Sequence, residues 1–138
     1  MTETKQAAGA RTVHLALVQF ESVLCDPAAN TQKACRMIAE AAAEGADLVV
    51  LPELFSTGYE LNIVGPHVPE LAEPVDGPTV RALQDAARAG NCYVVAGLAL
   101  TYDMAGVPFN SSVIIDRQGE LLGTYDKQHL WADRKSVV

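Results

Sequence analysis

The feature that most constrains the fold is the segment "ADLVVLPE", residues 46–53. Leu48, Val49, Val50 and Leu51 are apolar in succession, so both faces of the strand they form avoid water. A strand with one wet face would alternate apolar and polar residues. Strands of this kind are covered on both faces, usually by helices, and are often parallel to their neighbours. Two covering layers are therefore required. An acid, Glu53, follows directly on this strand, and a carboxylate at the mouth of a core strand needs a reason.

The rest of the chain supplies one such layer. "VHLALVQF", residues 13–20, reads as a first strand. Asp26 as N-cap and Pro27 as first helical residue open a helix. Ala34, Met37, Ile38, Ala41 and Ala42 fall on one face of it, and Gly45 stands where a helix ends. Residues 56–75 carry Gly58, Gly65, Pro66, Pro69 and Pro74 with few periodic apolar positions. They read as a long loop, and long loops in small domains tend to be functional. "DGPTVRALQDAARAG" predicts a second helix, with Pro78 in its first turn, Val80, Leu83, Ala86 and Ala87 on its buried face and Gly90 at its end.

The pattern then changes. "CYVVAGLALTY", "VPFNSSVIID" and "ELLGTYD" read as three strands of a meander, joined through "DMAG" and "RQG". The order predicts an α/β fold. Its first strands are parallel through a right-handed crossover, its sheet is mixed, two helices lie on one face, and a C-terminal β meander extends it. Nothing in the sequence is left to cover the other face, so the chain reads as part of a larger sandwich.

Composition narrows the function. Seventeen acidic residues against ten basic ones give a net charge of −7. That balance speaks against a nucleic acid or an anionic membrane as partner, since phosphate binding needs clustered Lys and Arg. No apolar run approaches the ~20 residues of a membrane span. Residues 1–11, "MTETKQAAGAR", have no apolar signal core and are expected to form a flexible tail. Cys25, Cys35 and Cys92 are odd in number and unrelated in spacing, which suggests neither a disulfide framework nor a zinc site. A cytoplasmic protein without metal or cofactor is expected.

Two stretches hold candidate chemistry. Glu53 lies beyond the carboxyl end of a sheet strand, the edge at which α/β folds bind ligands. Leu51, Leu54 and Phe55 around it predict a carboxyl pKa raised by desolvation, which suits a general base. Position alone also fits a loop carboxylate in a structural salt bridge. In "GTYDKQHLW", Lys127 follows the last strand. On its own it reads as a solvated lysine, and His129 beside Leu130 and Trp131 as a packing histidine.

Taken together, "LALVQF", "GADLVVLPELFSTGY", the Gly-Pro before the second helix, "FNSSVIIDRQGELLG" and "YDKQHLW" resemble the nitrilase superfamily of carbon–nitrogen hydrolases. The resemblance runs from Val13 to Trp131. It implies an α-β-β-α sandwich of which residues 12–138 form the N-terminal part. It implies a Glu-Lys-Cys mechanism in which Glu53 is the general base and Lys127 stabilises the oxyanion. Tyr59 then contacts the substrate and His129 plays a supporting part. The implied substrate is a small-molecule amide or nitrile, and the implied assembly a homo-oligomer. The family's nucleophilic cysteine lies after its lysine, whereas Cys25, Cys35 and Cys92 all precede Lys127. The chain is thus expected to stop short of the nucleophile and to be inactive alone. Asp133 is the one acid that follows "HLW", and its match to a further acid of the family stays open. The alternative is a nitrilase-like binding or regulatory module without catalysis.

Overall fold

A computed structural model describes residues 12–102 and 107–130. Strand β1 (Leu15–Leu17) is followed by helix α1 (Pro27–Ala43) and strand β2 (Leu48–Val50). Two short helices, α2 (Leu61–Val64) and α3 (Val68–Leu71), flank a 3-10 turn at Gly65–His67 and lead into strand β3 (Glu73–Pro74). Helix α4 (Pro78–Gly90) then precedes strands β4 (Tyr93–Thr101), β5 (Pro108–Ile115) and β6 (Leu121–Asp126). The six strands form one sheet of order β1-β2-β4-β5-β6, with β3 added beside the far end of β4. Strands β1, β2 and β4 are parallel, and β4, β5 and β6 are antiparallel. The expected mixed sheet with a terminal meander is present.

Local chemistry explains the helices. Asp26 caps α1 by accepting from the Ala29 amide at 3.0 Å, and Gly45 follows its last turn with a φ of 91°. Helix α4 is capped from a distance. The Glu73 carboxylate accepts from the Thr79 amide at 2.9 Å and from its hydroxyl at 2.6 Å. Gly90 belongs to this helix, and Asn91 takes the left-handed position with a φ of 49°. Asparagine tolerates that conformation better than most residues.

Both long helices pack on one face of the sheet. Ala34, Ile38, Val80, Leu83 and Ala87 meet Val49, Val94, Ala96, Leu98, Val113 and Ile115 in the core. The opposite face is open. Leu15, Leu17 and Tyr125 are 54%, 71% and 59% exposed there, and Tyr93 and Ile114 are exposed beside them.

Two expectations are refined. Strand β1 is shorter than residues 13–20, because the backbone leaves the sheet after a last bond from the Val18 amide to the Val50 carbonyl at 2.9 Å. The stretch 56–75 holds two short helices and strand β3 as well as loop, because Glu60 caps α2 and Glu73 with Pro74 pairs with β4. The "RQG" hairpin forms with Gly119 at a φ of 77°. The expected tail at 1–11, the turn "DMAG", Trp131 and Asp133 lie outside the described residues. Among the described residues, no helix is long and apolar enough to cross a membrane.

Candidate active site

Glu53 is lifted out of the sheet by a distortion in the chain. The Leu51 amide bonds the Val95 carbonyl at 2.9 Å, and the Phe55 amide bonds the Gly97 carbonyl at 3.0 Å. Five residues on one chain, 51 to 55, thus face three on β4, 95 to 97, and two residues are extra. The surplus is a bulge, a device that re-aims side chains next to active sites. Leu54 takes a φ of 48° within it. A left-handed conformation at a leucine costs roughly 1–2 kcal/mol, and such strain persists only where the surroundings enforce it.

The surroundings do so through the loop before α1. Asn30 is fully buried. Its amide nitrogen donates to the Val23 and Ser56 carbonyls, each at 2.7 Å, and its oxygen accepts from the Val23 amide at 2.8 Å. The Ser22 hydroxyl donates to the Phe55 carbonyl at 2.9 Å, and the Cys25 amide to the Thr57 carbonyl at 3.0 Å. The segment after Glu53 is pinned along its length.

The bulge carries Glu53 across β4 to the open side of β5 and β6. There its Oε1 accepts from the Lys127 ammonium at 2.8 Å and from the Asn110 amide at 2.7 Å. Lys127 follows directly on β6, and its backbone amide donates to the Asn110 carbonyl at 2.9 Å. The two charges singled out in the sequence are in direct contact across 74 residues of chain. Asn110 was missed as a member of the site, although an amide within the apolar strand "VPFNSSVIID" was the available signal.

The expected raised pKa of Glu53 is corrected. Burial does push the carboxyl up, but hydrogen bonds from Lys127 and Asn110, with the nearby positive charge, outweigh it and hold the carboxyl below its ordinary value. The sequence signal was the apolar neighbours, and it carried no sign of the two donors. Bonding to Glu53 in turn holds the Lys127 ammonium above its ordinary pKa. Both groups are charged at neutral pH. Among the described residues the second carboxylate oxygen, Oε2, has no hydrogen-bond partner.

Glu53 separates two open clefts. One, about 300 Å³, lies on the open sheet face between Val50, Val95, Gly97, Asn110, Tyr125 and Lys127. The other, about 340 Å³, is bounded by Phe20, Ser22, Leu24, Gly58 and Tyr59. Tyr59 thus lines the same cleft as Glu53, close enough for its hydroxyl to act on the Lys127 charge. His129 is exposed in the bend after Lys127 and bonds neither charged residue.

None of the three cysteines lines either cleft. Burial pushes the Cys35 and Cys92 thiols up, away from thiolate. Cys92 lies at the start of β4, the end of the sheet remote from Glu53. Among the described residues, no group of three or more His, Cys, Asp or Glu side chains is placed to hold a metal ion.

Opposite charges at the carboxyl ends of the strands, beside a cleft over an open sheet face, define a ligand-binding or catalytic α/β domain. The chain belongs to the carbon-nitrogen hydrolase family, whose model matches residues 14–138. It is 40% identical over 124 residues to a nitrilase of Pyrococcus abyssi, covering 89% of this chain and 46% of that protein. It is 34% identical over 119 residues to the omega-amidase NIT2 of Homo sapiens, covering 85% and 40%. Among solved structures it resembles an amidase from Nesterenkonia sp. at a TM-score of 0.73 and 28% identity, covering 87% of this chain and 44% of that one. The chain spans less than half the length of these relatives. Its mixed sheet with helices matches their nitrilase fold.

Proposed function

We propose that Glu53 and Lys127 serve the hydrolysis of a non-peptide carbon–nitrogen bond in a small molecule, with residues 12–138 as the N-terminal part of the domain. The observation that carries this reading is the pair itself. One carboxylate oxygen is committed to Lys127 and Asn110, and the other is left to take a proton.

In this reading Glu53 removes the proton from a thiol, and the thiolate forms a bond to the amide carbon. The Lys127 ammonium stabilises the oxyanion that develops. The carbon–nitrogen bond then breaks, the protonated Glu53 returns its proton to the leaving nitrogen, and ammonia or an amine departs. Water, deprotonated by Glu53, adds to the thioester; the carbon–sulfur bond breaks, the thiolate takes the proton back from Glu53, and the carboxylic acid is released. A nitrile would take the same attack at its carbon. The amide is favoured because two of the relatives above are amidases by name. Tyr59 contributes a substrate contact from the second cleft, and His129 keeps a supporting part beside Lys127.

The thiol is none of Cys25, Cys35 and Cys92, since none borders the clefts beside Glu53. A mutant of the amidase from Nesterenkonia sp. AN1, among the structural neighbours, shows the result of Michael addition of acrylamide at its active site cysteine, which supports a thiol in that role. The open sheet face, with Leu15, Leu17, Tyr93 and Tyr125, supports association into a homo-oligomer. Light scattering at micromolar concentration tests that point, and a stable monomer that binds no hydrophobic dye overturns it.

A second reading is a nitrilase-like module that binds a small polar ligand without turnover, supported by the open cleft that Asn110, Tyr125 and Lys127 line beside Glu53. Ammonia release from short aliphatic amides separates the two. The 138-residue chain is assayed beside the product of its gene read in frame past codon 138. The first reading expects release by the longer product alone, falling roughly 10²-fold or more on Glu53→Gln, the scale of a lost general base. Calorimetric binding of acetamide with no release by either establishes the module. Release by the 138-residue chain that is lost on Cys25→Ser overturns the assignment of the thiol.

A further inference from the structure

Lys127 has a weak hold on its own position. Its side chain is long and flexible, and holding it in one place costs rotamer entropy. It hangs from the end of β6, which pairs only with β5 among the described residues. Among the described residues its one backbone anchor is the bond to the Asn110 carbonyl. Strand ends of this kind open easily.

The opposite face of the same two strands carries a second cluster. Successive strand residues point to opposite faces, so Asp126 lies on the helix side of the sheet when Lys127 lies on the open side. The Asp126 Oδ1 accepts from the Ser111 hydroxyl at 2.6 Å and from the Tyr102 hydroxyl at 2.8 Å. Ser111 is buried, and it is the register partner of Asp126. The Tyr102 ring is held edge-on against Phe109, with centroids 5.1 Å apart. Each strand therefore contributes two consecutive residues. Asn110 and Lys127 meet Glu53 on one face, and Ser111 and Asp126 meet each other on the reverse.

We propose that Asp126, clamped by Ser111 and Tyr102, is the positioning residue that holds Lys127 against Glu53. The clamp fixes the end of β6 in register, and that register sets the ammonium opposite Asn110. The catalytic meaning of this role rests on the function proposed above, but the positioning itself does not.

The test follows the titration of the Glu53 carboxyl by carbon-detected NMR in the 138-residue chain. Lys127→Ala sets the value without the ammonium. Removing the clamp with Asp126→Ala raises the Glu53 midpoint toward that value, because the group that held it down is released. Tyr102→Phe keeps the ring on Phe109, removes one donor and raises the midpoint part of the way. Asp126→Asn keeps the accepting oxygen and leaves the midpoint near that of the parent chain. The sign discriminates, since loss of the Asp126 charge alone would lower the Glu53 midpoint. A drop in both Asp126 variants, or a folded Asp126→Ala chain with an unmoved midpoint, overturns the proposal. If Asp126→Ala does not fold, an unmoved midpoint in Tyr102→Phe overturns it. Ammonia release tests the hydrolase reading separately, so either can fail while the other stands.

Discussion

Gly97 lies directly beneath Glu53. A Cβ at position 97 would come within 2.9 Å of the Glu53 Cα, 3.2 Å of the Pro52 carbonyl oxygen and 3.3 Å of the Leu54 amide nitrogen. All three are backbone atoms in a pinned segment, so none can swing aside as a side-chain end would. The missing side chain on β4 is what lets the bulge pass over the sheet and deliver the carboxylate to β5 and β6.

Gly97→Ala is therefore expected to destabilise the fold by roughly 1–3 kcal/mol, the scale of overpacking. It should also part Glu53 from Lys127. Urea unfolding measures the first effect. The second appears as a Glu53 carboxyl that titrates nearer its ordinary value, and an unmoved titration would show that the bulge relaxes without moving the acid.

Lys127→Met should separate charge from stability. Glu53 and Lys127 are 44% and 35% exposed, and pairs so exposed contribute only roughly 0.2–1 kcal/mol. The unfolding midpoint should hardly change. The Glu53 pKa should rise, since the burial that raises it remains while the largest opposing influence is gone. Hydrolysis by an active form of the protein should fall by about 10²–10³ in kcat, as on loss of an oxyanion donor.

Asn30→Ala removes three hydrogen bonds, two part-buried to Val23 and one buried to Ser56, and leaves the Ser56 carbonyl without its partner. Leaving a buried polar group unsatisfied costs about 1–3 kcal/mol. Because Asn30 joins two loops, amide exchange should quicken at Phe55, Thr57 and Gly58 more than at the middle of β4. A uniform change across the domain would mean that Asn30 stabilises the fold without ordering the turn.

Acid should loosen the opposite end of the sheet. The backbone amide of His14 and the side chain of Arg117 bond Asp47 and hold its carboxyl below the ordinary value. A carboxyl whose folded pKa is depressed adds stability above its unfolded pKa, and that stability is lost as pH falls through the folded value. Thermal midpoints should therefore decline below about pH 4, the ordinary range for aspartate. Asp47→Asn should flatten part of that decline, and an unchanged acid limb would remove Asp47 from the account.

Much of this arrangement was legible in the sequence. The doubly apolar run at 48–51, the cap at Asp26, Pro78 in the first turn of α4 and the Gly-bearing hairpin were enough for the mixed sheet with its meander and for helix placement. They rest on local periodicity and turn chemistry. The resemblance to the family selected Glu53 and Lys127 for the same site. The rest depends on contacts between residues far apart in the chain. The bulge shows only when the hydrogen bonds of Leu51 and Phe55 are traced to β4. The pKa of Glu53 turned on the donors Lys127 and Asn110, and no neighbour in the sequence announces the role of Asn110. Strand β3 exists because Glu73 and Pro74 pair with Leu100 and Thr101 of β4, a tertiary contact.

The contact between Glu53 and Lys127 also bears on how the molecule acquires its site in time. One residue belongs to the β-α-β unit and the other to the meander, 74 positions later. Each unit can begin to form from near-neighbour contacts, whereas closing a loop of that length is entropically costly and slow. The ion pair should thus be among the last native contacts to appear during refolding. A chain with most of its secondary structure would still leave Glu53 without Lys127, and the two signals, helix content and carboxyl titration, should recover at different rates.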